Sequence, residues 1–482
     1  MSTTTSEPQV SLVPARLDRL PWSRFHWSVV VGLGVSWILD GLEIQIVSAN
    51  GFAKSLGMNA TEIGLTGTIY LLGQVAGALV FGRMTDRLGR KRLFILTLAI
   101  YLIGSAAAGL APNMIIFWIF RFIAGAGIGG EYTAINSAID ELIPSKYRGR
   151  VDIAVNGTYW AGAALGAFGN LFFLNTDLFS ENIGWRIAFF IGPVLGLSII
   201  YLRRHIPESP RWLMTHGRHQ EAENNVEEIE RRVRESGHQL PEVDQSKAMS
   251  VKPTESIPFR TLAGIFLRRY PKRTIMGLTM MITQSFLYNA IFFSYATVLG
   301  TYYGVDSSHT SYYFFPFAIG NLLGPLVLGH LFDTVGRRKM ILLTYGVAGA
   351  VLAVSAALFA ADALSAVTQT VLWCICFFFA SAGASSAYLT VSEIFPLELR
   401  GQAISYFFIV AQGFGALGPV TYGALVEGGR GPLSIGYVGA SVIMIIGGVV
   451  AFACGVNAEG KALEDIADPL SRADQPTGGK AA

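Results

Sequence analysis

Two acids, Asp40 and Glu43, lie inside an otherwise apolar run, GVSWILDGLEIQIVSANG, and one arginine, Arg121, lies inside another. A charge at the centre of a bilayer costs about 3 kcal/mol, so such residues face a protein interior or a water-filled path. Spaced by three, the acids share one face of a helix. At about 1.5 Å per residue, a span entering near Trp27 puts Asp40 roughly 20 Å in, about 10 Å short of the far edge. A span running the other way from Met114 puts Arg121 roughly 10 Å below that same edge. The expectation is that Arg121 faces Asp40 or Glu43 across the interior, and that protonation of the acid releases the pair. Burial disfavours a carboxylate and a nearby arginine favours it, so a change of shape that alters either turns the acid into a proton switch. The alternative is a permanent ion pair that only fixes helix register.

The rest of the chain must hold these groups in a membrane. Of its 482 residues 52% are hydrophobic and only 14% charged, too apolar for an ordinary soluble domain. Stretches of roughly 20 apolar residues recur near 27–49, 64–82, 92–111, 114–137, 152–174 and 185–203, and again near 274–299, 310–331, 340–360, 367–392, 403–425 and 434–455. The expected fold is therefore an all-α membrane protein of twelve transmembrane helices in two six-helix bundles, 27–203 and 274–455. An N-terminal tail (1–26), a linker with short helices (204–273) and a C-terminal tail (456–482) flank them. The tail lacks the apolar core and cleavage site of a secretory signal. Lys and Arg crowd the tails and the even-numbered loops, with Lys54, Arg186 and Arg430 on the other side, which puts both termini in the cytoplasm and the chain in the cell membrane. The net charge of +3 is then read as a topology signal rather than as a surface for nucleic acid, since no basic and aromatic patch accompanies it. Cys374, Cys376 and Cys454 all sit in apolar stretches, so neither disulfides nor a metal site are encoded, and no cofactor motif is present.

The chain repeats itself. GRMTDRLGRKR (Gly82 to Arg92) and GHLFDTVGRRK (Gly329 to Lys339) share Gly, then Asp four on, Gly at seven and basic residues at eight to ten; ELIPSKYRG and EIFPLELRG share Glu, Pro, Arg and Gly. One pair follows the second span of each half and the other the fourth, as duplication of a six-span unit requires. Two copies at one spacing favour a charge network that locks helix ends in one conformation and opens during transport. Its members are Gly82, Arg83, Asp86, Arg87, Gly89, Arg90, Glu141 and Arg148 in one half, with Gly329, Asp333, Gly336, Arg337, Arg338, Glu393 and Arg400 in the other. The glycines of GAGIGG, within the fourth span and with no strand before them, serve helix packing rather than a nucleotide. Glu131 in that span is a weaker functional candidate.

These loops resemble the signature loop of the major facilitator superfamily. RFIAGAGIGGEYTAINSAIDELIPSKYRGR, PESPRWL and SEIFPLELRG resemble the branch of sugar porters, aromatic-acid proton symporters and related organic-ion carriers, over about residues 27–455. In sugar porters the acid that pairs with the span-4 arginine falls, aligned on GLEIQIVS, at Glu43; aromatic-acid symporters carry Asp-Gly-x-Asp, which DGLE matches with one acid exchanged. The resemblance thus implies Glu43 for the proton and Asp40 for a supporting or substrate role.

Polar and aromatic residues within spans mark the substrate cavity at the repeat interface: Asn156, Tyr159 and Trp160, then Thr283, Gln284, Tyr288, Asn289 and Tyr295, then Tyr388 and Gln412. Against the sugar porters' Gln-Gln-x-x-Gly-x-Asn, TQSFLYN keeps Gln284 and Asn289 but loses the first Gln and the Gly. Fewer amides for hydroxyls, with Arg121 and several tyrosines retained, suit a carboxylated or aromatic solute. The expectation is a secondary carrier, not an enzyme, since no nucleophile or metal cluster occurs at useful spacing. It alternates access to a small organic solute, acting as a monomer in the bilayer and coupled to protons. A uniporter or exporter of the same fold, or a sensor that has lost transport, remains the alternative.

Overall fold

The computed structural model describes residues 9–203, 207–245, 249–251, 259–395 and 397–455. The chain is almost wholly helical, and ten helices among the described residues are long and apolar enough to cross a membrane. In the first half the long helices are α2 (Arg24–Ser48), α4 (Ala60–Leu88), α5 (Arg90–Gly109), α6 (Met114–Leu142), α7 (Ser145–Phe173) and α8 (Glu181–Arg203), with α1 (Val13–Asp18) and α3 (Ala53–Leu56) short. Helices α9 (Pro210–Thr215), α10 (His219–Glu235) and α11 (Phe259–Gly264) occupy the linker. The second half has α12 (Pro271–Tyr303), α13 (Ser307–Thr334), α14 (Arg337–Ala360), α15 (Ala366–Ile394), α16 (Leu397–Gly415), α17 (Leu417–Glu427) and α18 (Arg430–Cys454). The eleventh expected span is one apolar stretch, Ala403–Glu427, shared by α16 and α17. Expected spans five and six fall in α7 and α8.

Local chemistry sets the helix ends. Asn113 caps α6, its side-chain oxygen accepting from the Ile116 N–H at 3.0 Å, and Ser365 with Thr368 forms a capping box on α15. Gly89 (φ 86°) and Gly336 (φ 107°) open α5 and α14, both in the left-handed region that suits glycine, and they occupy the same place in the two repeated loops.

Two compact units divide the chain. One comprises Met1–Ile44, Gly73–Gly166 and Arg186–Pro258; the other comprises Gln45–Leu72, Ala167–Trp185 and the chain from Phe259 onward. In the first unit, helices approach to backbone contact at small residues. A Cβ on Gly41 of α2 would lie 2.1 Å from the Tyr159 carbonyl of α7, and one on Gly162 would lie 2.0 Å from that of Ile38. Any side chain there would force α2 and α7 apart. The GAGIGG run packs the same way: a Cβ on Gly129 of α6 would come within 1.9 Å of the Gln74 carbonyl of α4.

The first unit also contains a cap that includes the N-terminal segment, which is more than a solvated tail. β1 (Gln9–Ser11) pairs antiparallel with β2 (Met249–Val251), Val10 opposite Ser250. Val13, Leu17 and Leu20, at i, i+4 and i+7, are buried in one apolar cluster with Ala222, Val226, Ile229 and Val233 of α10 and Ile139 and Leu142 of α6. The Glu- and Arg-rich helix α10 therefore buries one stripe. Its opposite face carries pairs such as Arg231–Glu228 (2.8 Å) and Arg231–Glu235 (2.5 Å).

Candidate functional site

Asp40 and Glu43 project from one face of α2, and both are buried, at 1% and 2% exposure. Arg121, fully buried two turns into α6, forms an ion pair with Glu43 through its Nη1. Asp40 accepts instead from the Tyr132 hydroxyl, also on α6. Phe189 of α8 lies under the Arg121 guanidinium, 5.9 Å from carbon to ring centroid. The buried Tyr101 phenol of α5 donates to the Leu39 carbonyl at 3.3 Å and stands beside the Glu43 carboxylate. Four helices thus enclose one cation and two acids in an apolar interior, where an ion pair persists only while both partners stay charged.

The substrate candidates fall on helices of both units. Tyr159 and Trp160 lie on α7 in the first unit, in edge contact with centroids 5.2 Å apart. In the second unit Gln412 of α16 gathers two α12 residues, accepting from Ser285 Oγ at 2.5 Å and from Asn289 at 3.3 Å. Tyr288 donates to Asn321 at 2.7 Å, and Gln284 donates to the Ala380 carbonyl at 3.2 Å. Thr283 is buried and donates to the Met280 carbonyl of its own helix at 3.0 Å. Tyr295, six residues and about 9 Å beyond Asn289 on α12, accepts from Gln45 at 2.8 Å among Phe292, Phe314 and Phe317. The side chains of Asn156 and Tyr388 lie outside the described residues. A separate cavity of about 440 Å³ in the second unit is lined by Asn50, Lys54, Glu181, Thr297 and Asp306, and by none of the expected substrate residues.

Of the expected charge network, the side chains of Arg83, Asp86, Arg87, Arg90, Arg148, Asp333, Glu393 and Arg400 lie outside the described residues. Gly82 and Gly329 lie within α4 and α13. Arg338 donates through Nε to the Phe452 carbonyl at 2.9 Å, Arg337 is buried at 8% exposure, and Glu141 is half-buried near the end of α6. Glu131 is buried at 2% exposure on α6.

Sequence reasoning assigned no role to Glu208, Trp37 or Tyr132. Glu208, in the PESPRWL run, accepts from the Lys91 backbone N–H at 3.2 Å and so sets a carboxylate at the N-terminus of α5, where the helix dipole favours it. The signal was an acid in a short motif whose partner lies over a hundred residues away. Trp37 and Tyr132 pack with ring centroids 4.6 Å apart beside Asp40. Trp37 stands three residues before Asp40, and that spacing was the available signal.

Ten helices among the described residues are long and apolar enough to cross a membrane, and four helices of the first unit bury opposed charges, which are the features of a membrane carrier. The sequence profile of the sugar (and other) transporter family matches residues 42–468. The chain belongs to that family. It is 26% identical over 455 residues to the niacin transporter NiaP of Acinetobacter baylyi, covering 94% of this chain and 99% of the relative. It is 24% identical to the cis,cis-muconate transport protein of the same organism, covering 87% and 90%. Its fold is that of XylE of E. coli, a proton:xylose symporter of the major facilitator superfamily, with a TM-score of 0.69 at 18% identity over 92% of this chain and 98% of that one. The protein is a multi-pass membrane transporter of small molecules, and its family transports rather than catalyses.

Proposed function

We propose that the protein is a proton-coupled symporter of a small organic acid, working as a monomer in the cell membrane with both termini cytoplasmic. The observation that carries this reading is the ion pair of Glu43 with Arg121, buried where two membrane-crossing helices meet. In the charged state the pair holds α2 against α6. When Glu43 takes up a proton it loses its attraction for Arg121, whose guanidinium stays charged. Arg121 is then available to a solute carboxylate, which it binds in the paired geometry that guanidinium and carboxylate share. Binding one neutralised acid and one anionic solute together leaves the interior charge as it was, so the helices are free to rearrange. Asp40, held by Tyr132, is the supporting acid. The relatives that carry niacin and cis,cis-muconate support an acidic solute.

A second reading, a hydroxylated solute, is favoured by the Ser285, Asn289 and Gln412 cluster, whose hydroxyl and amides suit hydroxyl groups. The charge network of the repeated loops would serve either solute as the lock at the basic end. Purified protein in liposomes decides between them: an inward proton gradient should drive accumulation of nicotinate or benzoate, and Glu43→Gln should remove that accumulation while leaving exchange. Gradient-driven accumulation of myo-inositol, with no response to either acid, would reject the acidic solute.

A further inference from the structure

Around Asp40 the first unit carries an aromatic group that the proton switch does not use. Trp37 lies one turn before Asp40 on α2, and its ring meets Tyr132 at 4.6 Å and 51° and the edge of Tyr159 at 6.4 Å and 80°. Tyr159 in turn meets Trp160. All four side chains are half-buried, so each keeps some surface that the protein does not cover. Sharing a stripe with a buried carboxylate, Trp37 points toward the protein interior and away from lipid. The backbone contact of α2 with α7 at Gly41 and Gly162 fixes Tyr159 against Trp37, and the Thr158 hydroxyl donates to the Gly34 carbonyl at 2.8 Å to hold the same register.

One atom in this group is unsatisfied. The indole Nε1 of Trp37 is buried and has no hydrogen-bond acceptor among the described residues. A donor left unpaired in an apolar interior is destabilising. A solute that brought an acceptor to it would remove that cost while laying a flat face against the rings.

We propose that Trp37, Tyr132, Tyr159 and Trp160 form an aromatic wall that selects a planar aromatic carboxylate, with the Trp37 N–H donating to an acceptor on the solute. The inference rests on the acidic solute put forward above and narrows it to flat rings. Aromatic faces favour offset or edge contact with another aromatic ring over a puckered aliphatic ring of the same size.

The test compares two acids of equal carbon count and similar acidity, benzoate and cyclohexanecarboxylate, binding to the purified full-length protein. Benzoate should bind about tenfold more tightly. Trp37→Leu should bring the ratio to about two or less while cyclohexanecarboxylate still binds, which shows that the fold survives. Tyr159→Leu should lower the ratio in the same direction and serves if the first variant does not fold. Trp37→Phe keeps a ring but lacks the N–H, so it should weaken both acids and preserve their ratio. Equal binding of the two acids by the unaltered protein, or a benzoate preference untouched by Trp37→Leu and Tyr159→Leu, overturns the aromatic wall alone. Binding of myo-inositol with neither acid bound overturns the acidic solute itself, and the wall with it.

Discussion

Glu43 and Glu230 both hold arginines, and they do so in different media. Glu43 meets Arg121 among membrane-crossing helices, with side-chain exposures of 3% and 0%. Glu230 of α10 meets Arg16 at 2.9 Å and Arg19 at 2.6 Å in the cap, where both arginines are 16% exposed. In the cap two guanidiniums share one acid and water reaches the edges, so loss of one bond is cushioned by solvent. Between α2 and α6 no such cushion exists, and loss of one charge must be answered by moving the helix or by supplying another ion. The same pairing is a fastener in one place and suits a switch in the other because of what surrounds it.

Breaking each pair should expose that difference. Glu43→Ala leaves Arg121 buried without its counter-charge and should destabilise the protein by about 3–5 kcal/mol, read as a lowered unfolding midpoint. Adding Arg121→Leu should recover much of that loss, and no recovery would mean the two residues are not coupled. Glu230→Ala should cost about 1–2 kcal/mol, discounted for screening at the cap, and should show as faster proteolysis of the linker with the membrane helices intact. Arg231→Ala, on the exposed face of α10, should leave the unfolding midpoint unchanged. A large effect there would mean the exposed face of α10 is covered by something else.

Acidity sharpens the comparison. Burial pushes the Glu230 carboxyl up, but hydrogen bonds from Arg16 and Arg19 outweigh it and hold the group below the ordinary carboxylate range. The bond from Glu230 likewise raises the Arg16 guanidinium. A lowered acid stabilises the folded cap fully above its unfolded value, about 4.5, and loses that contribution as pH falls through the lower folded value. Linker proteolysis should therefore be flat from neutral pH down to about 5 and rise below about 4, and Glu230→Gln should abolish the step. A step near neutral pH would point to another group.

The membrane helices were legible because apolar runs of the needed length have few other causes, and charges within them stand out. Counting residues from the span ends put Asp40, Glu43 and Arg121 at one level, but counting could not tell which acid Arg121 would meet. A three-residue offset is less than the error from helix tilt, and the distinction depends on Tyr132, which takes up Asp40. The N-terminal cap was hidden by its polar composition, although Val13, Leu17 and Leu20 have helical spacing. Its core needs α10, some two hundred residues away, before that stripe has anything to pack against. Trp37 was passed over for a similar reason. Aromatic residues are common in spans, and only the contacts with Tyr132 and Tyr159 separate this one from the rest.

The most direct test of the switch is proton movement driven by solute. Liposomes holding the protein at equal internal and external pH are given an inward gradient of the transported acid, and internal pH is followed with an impermeant dye. The account predicts that the unaltered protein acidifies the interior as solute enters, and that Glu43→Gln exchanges solute across the membrane with no change in internal pH. Acidification by Glu43→Gln at the rate of the unaltered protein would contradict it.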